Sequence, residues 1–276
     1  MNWNAESITR LRRLFLESFS VMDVAEPLVS VDAERDAAGV RALLEERRFD
    51  LVGVRVDGLV RGYASRVELA GGRCGDHLHA FVADDLVPET GSLRDAILSL
   101  GANGRCFVTV LGQPAAIATP EDLEKPPARM FLFGMITILE ALLAREVEAR
   151  LPGDCWRASL APARLARAEA LLAERRRRGQ PGTLLDCLQL SDKGQVLLSA
   201  VDVNDPSSPF RFTSSRKEAK RALKELEALR NNLAHTQRIV PDGWSRIVLF
   251  SSRVDALLEA AVPALGAPRQ PATPSR

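Results

Sequence analysis

Along residues 17–125, short apolar runs alternate with short stretches of helical period, the pattern of a chain that interleaves strands and helices. "LVGVRVDGLVRGY" (51–63) sets two such runs on either side of Asp57-Gly58, a pair that readily adopts the positive φ a tight hairpin needs. Some 55 positions later "RCFVTVLGQPAAIA" (105–118) repeats the form, with Gly112-Gln113-Pro114 as the expected turn. Helical segments precede both, Asp36–Arg48 in one case and Ser92–Ser99 in the other. A hydroxyl residue and, three on, an acid follow both: Ser65-x-x-Glu68 and Thr119-Pro-Glu-Asp122. An internal repeat is the economical reading.

The paired prolines of "EKPPAR" (124–129) break this pattern, and strand signals then almost vanish. "MFLFGMITILEALLAREVEARL" (130–151) reads as a long helix, apolar over most of its surface, in which Glu140 needs a partner or a cavity. Further helices are expected at 161–179, at 184–198, from the Ser215-x-x-Glu218 capping box through Leu233, and at 243–262. Arg175–Arg178 reads as a solvated, dipole-complementing helix end, with an RNA-contacting patch as the alternative. The fold class is therefore α+β with two domains. A lead-in (1–16) precedes an α/β repeat pair (17–125), an all-α bundle (126–262) and a tail expected to be disordered (263–276).

The 276 residues, 46% of them hydrophobic, suffice for two modest cores. With 37 basic against 36 acidic residues, bulk charge gives no reason to coat a nucleic acid or an anionic membrane, so such contacts must be local. No apolar run approaches the roughly 20 residues that span a bilayer, and no apolar core follows a basic N-terminal region. The expected location is the cytoplasm, with no membrane partner. Cys74, Cys106, Cys155 and Cys187 contain no CxxC pair, which fits reduced thiols. In "CGDHLH" the glycine and loop context favour a solvent-exposed connection over a metal cluster, and no metal site is expected.

The two hydroxyl-acid tetrads have a local explanation as capping boxes. They also close the same strand-turn-strand twice, and in this the chain resembles a pair of CBS motifs. Those repeats end in a small residue, two apolar residues, a hydroxyl and an acid before a final helix. The resemblance covers essentially all of 17–125. It implies a pseudo-twofold module whose clefts take a regulatory adenine nucleotide (AMP, ADP or ATP), with ribose and phosphate at a helix N-terminus. Thr119 and Asp122 would bind it, with Ser65 and Glu68 as a weaker second site. Ala116 stands where glycine is common and Glu68 where aspartate is more usual, which leaves open whether each cleft takes ligand.

On the fourth helix, "ELEALRNNLAHTQ" (225–237) sets Asn231 and His235 four apart on one face, with Arg230 flanking it. An imidazole can move a proton near neutral pH, a guanidinium can bind a phosphate, and an amide can fix geometry. Arg-Asn-x-x-x-His late in a helical bundle resembles the HEPN domain, many of whose members are metal-independent endoribonucleases with an Arg-x4–6-His motif. That resemblance covers about 128–262. It implies a homodimer in which two copies of the motif face each other, His235 as general acid/base, Arg230 as phosphate contact and Asn231 as orienting residue. Glu140 resembles the acid often found on the domain's first helix. The spacing alone is weak, because Arg73 and His79 satisfy it too, in a Gly-rich connection with no predicted helix.

Taken together the two resemblances imply a nucleotide-regulated endoribonuclease that needs no cofactor for catalysis. It would cleave RNA to 2′,3′-cyclic phosphate and 5′-hydroxyl ends, in stress response or phage defence. Two alternatives stay open. Arg230, Asn231 and His235 could serve only as a helix-end cap, or the protein could be a non-catalytic adenine-nucleotide sensor whose helical domain dimerises or binds RNA or a protein partner.

Overall fold

The computed structural model describes residues 10, 13–15, 17–205, 208, 210, 213–240, 244 and 247–252. Most of the expected lead-in, the far end of the last predicted helix and the 263–276 tail lie outside the described residues. The chain falls into two compact units, Leu16–Arg129 and Met1–Phe15 with Met130–Arg276.

The first unit is built from two β-α-β-β repeats. One comprises β2 (Ser30–Asp32), α1 (Ala37–Arg47), β3 (Leu51–Val56) and β4 (Leu59–Ser65). The other comprises β6 (Leu86–Pro88), α2 (Leu93–Asn103), β7 (Cys106–Val110) and β8 (Gln113–Ala118). In each, the first strand runs parallel to the second, and the second pairs antiparallel with the third. A register shift falls at the same place in both hairpins, between Val54 and Arg55 and between Val108 and Thr109. Two short strands complete the sheets: β1 (Glu26–Pro27) adds to β8 and β5 (His79–Ala80) adds to β4. The sheet orders are β1-β8-β7-β6 and β2-β3-β4-β5. This twofold-like arrangement of repeats is the one that the resemblance to a CBS pair implies.

Local chemistry explains each element. Asp36 caps α1 by accepting the Gly39 N–H at 2.7 Å, and Ser92 with Asp95 forms a capping box on α2. Arg48 (φ 58°) and Gly104 (φ 71°) close the two helices in the left-handed region. The α2 helix runs past the predicted Ser99 to Asn103, because Gly104 rather than any earlier residue terminates it. One turn is corrected: Leu111 (φ 51°) and Gly112 (φ 78°) make the second hairpin loop, matching Asp57 (φ 51°) and Gly58 (φ 76°) in the first. Gln113 and Pro114 belong to β8, where Pro114 sits opposite Thr109 at the irregular part of the ladder. Val40, Leu44, Val52, Val54, Ala64, Leu69 and Cys74 form the core beneath the first repeat.

The second unit is helical: α3 (Pro126–Arg150), most of which lies in it, α4 (Pro162–Arg177), α5 (Leu190–Ala200) and α6 (Arg216–Ala234). Residues 247–252 are also helical, on the predicted last helix. The single helix expected over 184–198 is instead a 3-10 turn at Leu185–Cys187 followed by α5, with Leu188 extended between them. Leu132, Met135, Ile136, Leu139, Leu143 and Val147 of α3 are buried, while Met130 and Phe133 near its start stay exposed. Glu140 finds its partner in Lys193 of α5, at 2.7 Å. Arg164 of α4 reaches Asp192 of α5 at 2.8 Å. Gly194 lets α5 approach α6 closely, since a Cβ there would lie 2.4 Å from the Leu223 side chain. Ser215 caps α6 through the Glu218 N–H, while the Glu218 carboxylate turns back to the N–H and hydroxyl of Ser214. Among the described residues, no helix is long and apolar enough to cross a membrane.

Candidate functional site

Three clusters hold the residues singled out above, and they differ in how much of their chemistry is already engaged. The first is the second tetrad. Thr119 is followed by a 3-10 turn, Pro120–Glu124, and Asp122 Oδ2 accepts both the Thr119 N–H (2.7 Å) and its hydroxyl (2.9 Å). Asp122 Oδ1 faces Lys125 Nζ at 2.9 Å, and the same ammonium donates to the Val24 carbonyl and meets Glu26. Burial alone would lower the Lys125 pKa, but its hydrogen bonds to Glu26 and Asp122 outweigh that and raise it. Thr119 and Asp122 thus form a complete capping box whose acid is neutralised by an adjacent cation.

The first tetrad is not its equivalent. Ser65 ends β4 and the chain turns without forming a helix, so Ser65-x-x-Glu68 caps nothing. Glu68 Oε2 meets His79 Nε2 at 2.8 Å, and that hydrogen bond, ahead of a smaller one from the Ser65 backbone, holds the Glu68 carboxyl below its ordinary range. The His79 ring stacks on Tyr63 with centroids 5.5 Å apart. Tyr63 in turn packs on Phe107 at 5.0 Å, and Phe81 meets Phe107 edge-on at 4.7 Å. Arg105 lies over the Tyr63 ring, 4.4 Å from its centroid, and donates to the Tyr63 hydroxyl. Tyr63 and His79 come from the first sheet, Phe107 from β7 in the second and Arg105 from the residue just before β7, so the cluster joins the two repeats.

Sequence reasoning missed this cluster. His79 registered there only as a member of the "CGDHLH" stretch weighed for a metal and as a chance partner for Arg73, and nothing in the spacing of Tyr63, His79 and Arg105 announces a contact between sheets. The connection ahead of His79, expected to be solvent-exposed throughout, is corrected at one position. Cys74–His77 forms a 3-10 turn, Cys74 is fully buried, and His77 Nε2 meets the Gly71 carbonyl at 2.8 Å. Among the described residues no group of three His, Cys, Asp or Glu side chains comes together as a metal site would require.

The third cluster closes α6. Arg230, Asn231 and His235 are all exposed, and Arg230 Nη1 donates to Asn231 Oδ1 at 3.3 Å. The helix end is closed by backbone alone: the His235 N–H bonds to Asn231 O at 3.0 Å and the Gln237 N–H to Asn232 O at 2.9 Å, with Thr236 at φ 57°. Neither the imidazole nor the guanidinium takes part in this cap. Among the described residues the His235 ring has no hydrogen-bond partner. Glu140 is held by Lys193, which is almost fully buried while Glu140 is about one-fifth exposed.

No protein-family model matches the chain, and neither does any curated protein. Solved structures are similar over the first unit. The CBS domain of a bacterial CNNM/CorC family Mg2+ transporter is 20% identical, covering 45% of this chain and 84% of that one with a TM-score of 0.35. A hemolysin-like protein containing a CBS domain from Oenococcus oeni PSU is 17% identical over 42% of this chain and 94% of that one, TM-score 0.34. CBSX2 in complex with AMP is 20% identical over 38% of this chain and 93% of that one, TM-score 0.33.

Proposed function

We propose that this protein is a nucleotide-regulated endoribonuclease, with a CBS-like pair as the sensing module and a HEPN-like helical domain as the cleaving one. The observation that carries the reading is the end of α6, where backbone alone forms the cap and leaves the His235 ring unpartnered on an exposed face beside Arg230 and Asn231. In the reaction, one imidazole removes the proton from a ribose 2′-hydroxyl, and that oxygen attacks the adjacent phosphate. The bond to the 5′ oxygen breaks, and a protonated imidazole returns a proton to it, leaving a 2′,3′-cyclic phosphate and a 5′-hydroxyl. Arg230 binds the charge that builds on the phosphate, and Asn231 orients it. A homodimer supplies the second histidine from a second copy of the chain. The test is cleavage of RNA by pure protein in chelator, beside His235→Ala and Arg230→Ala. Equal turnover by all three proteins removes the enzyme from the proposal.

On the sensing side, Thr119 and Asp122 are the proposed nucleotide contacts, with Ser65 and Glu68 as the second, weaker pair. Lys125 already meets Asp122, Glu26 and the Val24 carbonyl, so a phosphate at this site would have to displace one of those partners. Calorimetric titration with AMP, ADP and ATP tests this directly.

A second reading is favoured by a specific contact. Glu140, the acid expected to join the cluster at His235, is engaged by Lys193 of α5, a pairing that a non-catalytic domain accommodates as well. A sensor with a dimerising helical domain then predicts a stable dimer and nucleotide-dependent thermal stability without RNA turnover.

A further inference from the structure

The first three turns of α6 carry a feature that the cleavage chemistry does not require. Arg216, Lys217, Lys220, Arg221 and Lys224 are all exposed, and among the described residues these five line one open groove. The only acid among them, Glu218, is turned back to cap the helix at Ser214. Arg221 has one distant partner, Glu225 at 3.9 Å, and among the described residues Lys217, Lys220 and Lys224 form no ion pair. At about 100° per residue, Lys217, Lys220, Arg221, Lys224, Asn231 and His235 fall within about 60° of a single line along the helix. Only Ala228 interrupts the line with an apolar residue, and it is small. From Lys217 to His235 the stripe is about 27 Å long.

A chain whose charges otherwise cancel has thus concentrated unneutralised cations on one helix face, in line with the exposed histidine. Neighbouring cations one turn apart are about 5–6 Å from each other, a ladder suited to a flexible polyanion with regularly spaced charges. The stripe has no large apolar residue to insert into a lipid surface or to anchor an amphipathic peptide. We infer that the exposed stripe of α6 is a track for single-stranded nucleic acid, held through its phosphates by Lys217, Lys220, Arg221 and Lys224 and led toward Asn231 and His235. Binding along the track stands independently of cleavage; only the delivery of that strand to His235 as substrate rests on the ribonuclease reading.

The test uses the full chain and a fluorescently labelled single-stranded RNA 20-mer of mixed sequence, with anisotropy measured in chelator over a range of salt. The triple variant Lys217→Gln/Lys220→Gln/Lys224→Gln changes exposed positions to another good helix former. It is expected to keep the wild-type melting temperature and to bind at least about tenfold more weakly. Its log–log salt slope should be shallower by about 2, as removal of three phosphate contacts to a single strand dictates. If wild type fails to cleave yet the triple variant loses binding, the track stands and the ribonuclease reading falls. Unchanged affinity and slope in the triple variant overturn the track. So does loss of binding in Arg175→Gln/Arg176→Gln on α4 instead, or equal affinity for poly-glutamate or for phosphatidylserine vesicles. Should the triple variant unfold, Lys220→Gln alone decides the matter: a slope shallower by about 0.7 supports the track and an unchanged slope overturns it.

Discussion

Lys193, only 5% exposed, donates from α5 to Glu140 of α3 across 2.7 Å, a charged pair set inside the helical unit. Its removal from one side leaves the other charge with poor solvation, so Lys193→Met is expected to destabilise that unit by about 3 kcal/mol. Lys193→Met combined with Glu140→Leu should recover most of that loss or exceed wild type, because the desolvated charges disappear together. Chemical denaturation of the three proteins measures both effects.

The second hairpin holds Leu111 at φ 51° with 92% of its surface exposed, a left-handed conformation that costs a leucine about 1–2 kcal/mol. Leu111→Asn places the residue preferred there before Gly112 and removes an exposed apolar side chain. Stability should rise by about 0.5–1 kcal/mol. A melting temperature below wild type would refute the assigned turn.

Glu68 carries a pH response into the first unit's aromatic cluster. The Glu68 carboxyl titrates below its ordinary range because it is hydrogen-bonded to His79. A depressed folded-state value means that the contribution to stability is present above the unfolded value and is lost as pH falls through the folded one. In His79→Ala the NMR titration of Glu68 should move up toward the ordinary carboxylate range. Gly62→Ala should act on the same contact indirectly, since a Cβ at Gly62 would lie 2.1 Å from the His79 carbonyl oxygen and must displace β5.

Thiol chemistry checks the cores of both units. Cys155 is exposed, whereas Cys74, Cys106 and Cys187 are buried, and burial pushes the Cys106 thiol up to about 11. Near neutral pH, Cys155 should react with a disulfide reagent at least about tenfold faster than the other three, and all four should react in denaturant. Mass spectrometry of the labelled peptides reads the order.

The pattern of the first half was legible because a repeat states its elements twice. The Asp57-Gly58 turn, the helices after Asp36 and Ser92, and the paired hairpins all follow from local signals. The second turn was misplaced because Gly112-Gln113-Pro114 looks like turn chemistry, while the ladder needs Leu111 in the left-handed region. In the helical half the caps at Ser215 and the apolar surface of α3 were equally plain. Whether a box caps a helix was not: Thr119 and Asp122 do, but Ser65 and Glu68 only resemble them, because β5 brings His79 within reach of the acid.

The sequence by itself determined the two-part organisation, the repeat, and the placement of Arg230, Asn231 and His235 near a helix end, all of which depend on neighbours a few residues apart. Only the tertiary structure decided who satisfies Glu140, which acid meets His79, and how Arg105 comes to lie over Tyr63. Lys193 lies 53 positions from Glu140, and Arg105 lies 42 from Tyr63. No local period encodes such distances, because burial of a charge fixes only that a partner must exist, and packing chooses which one.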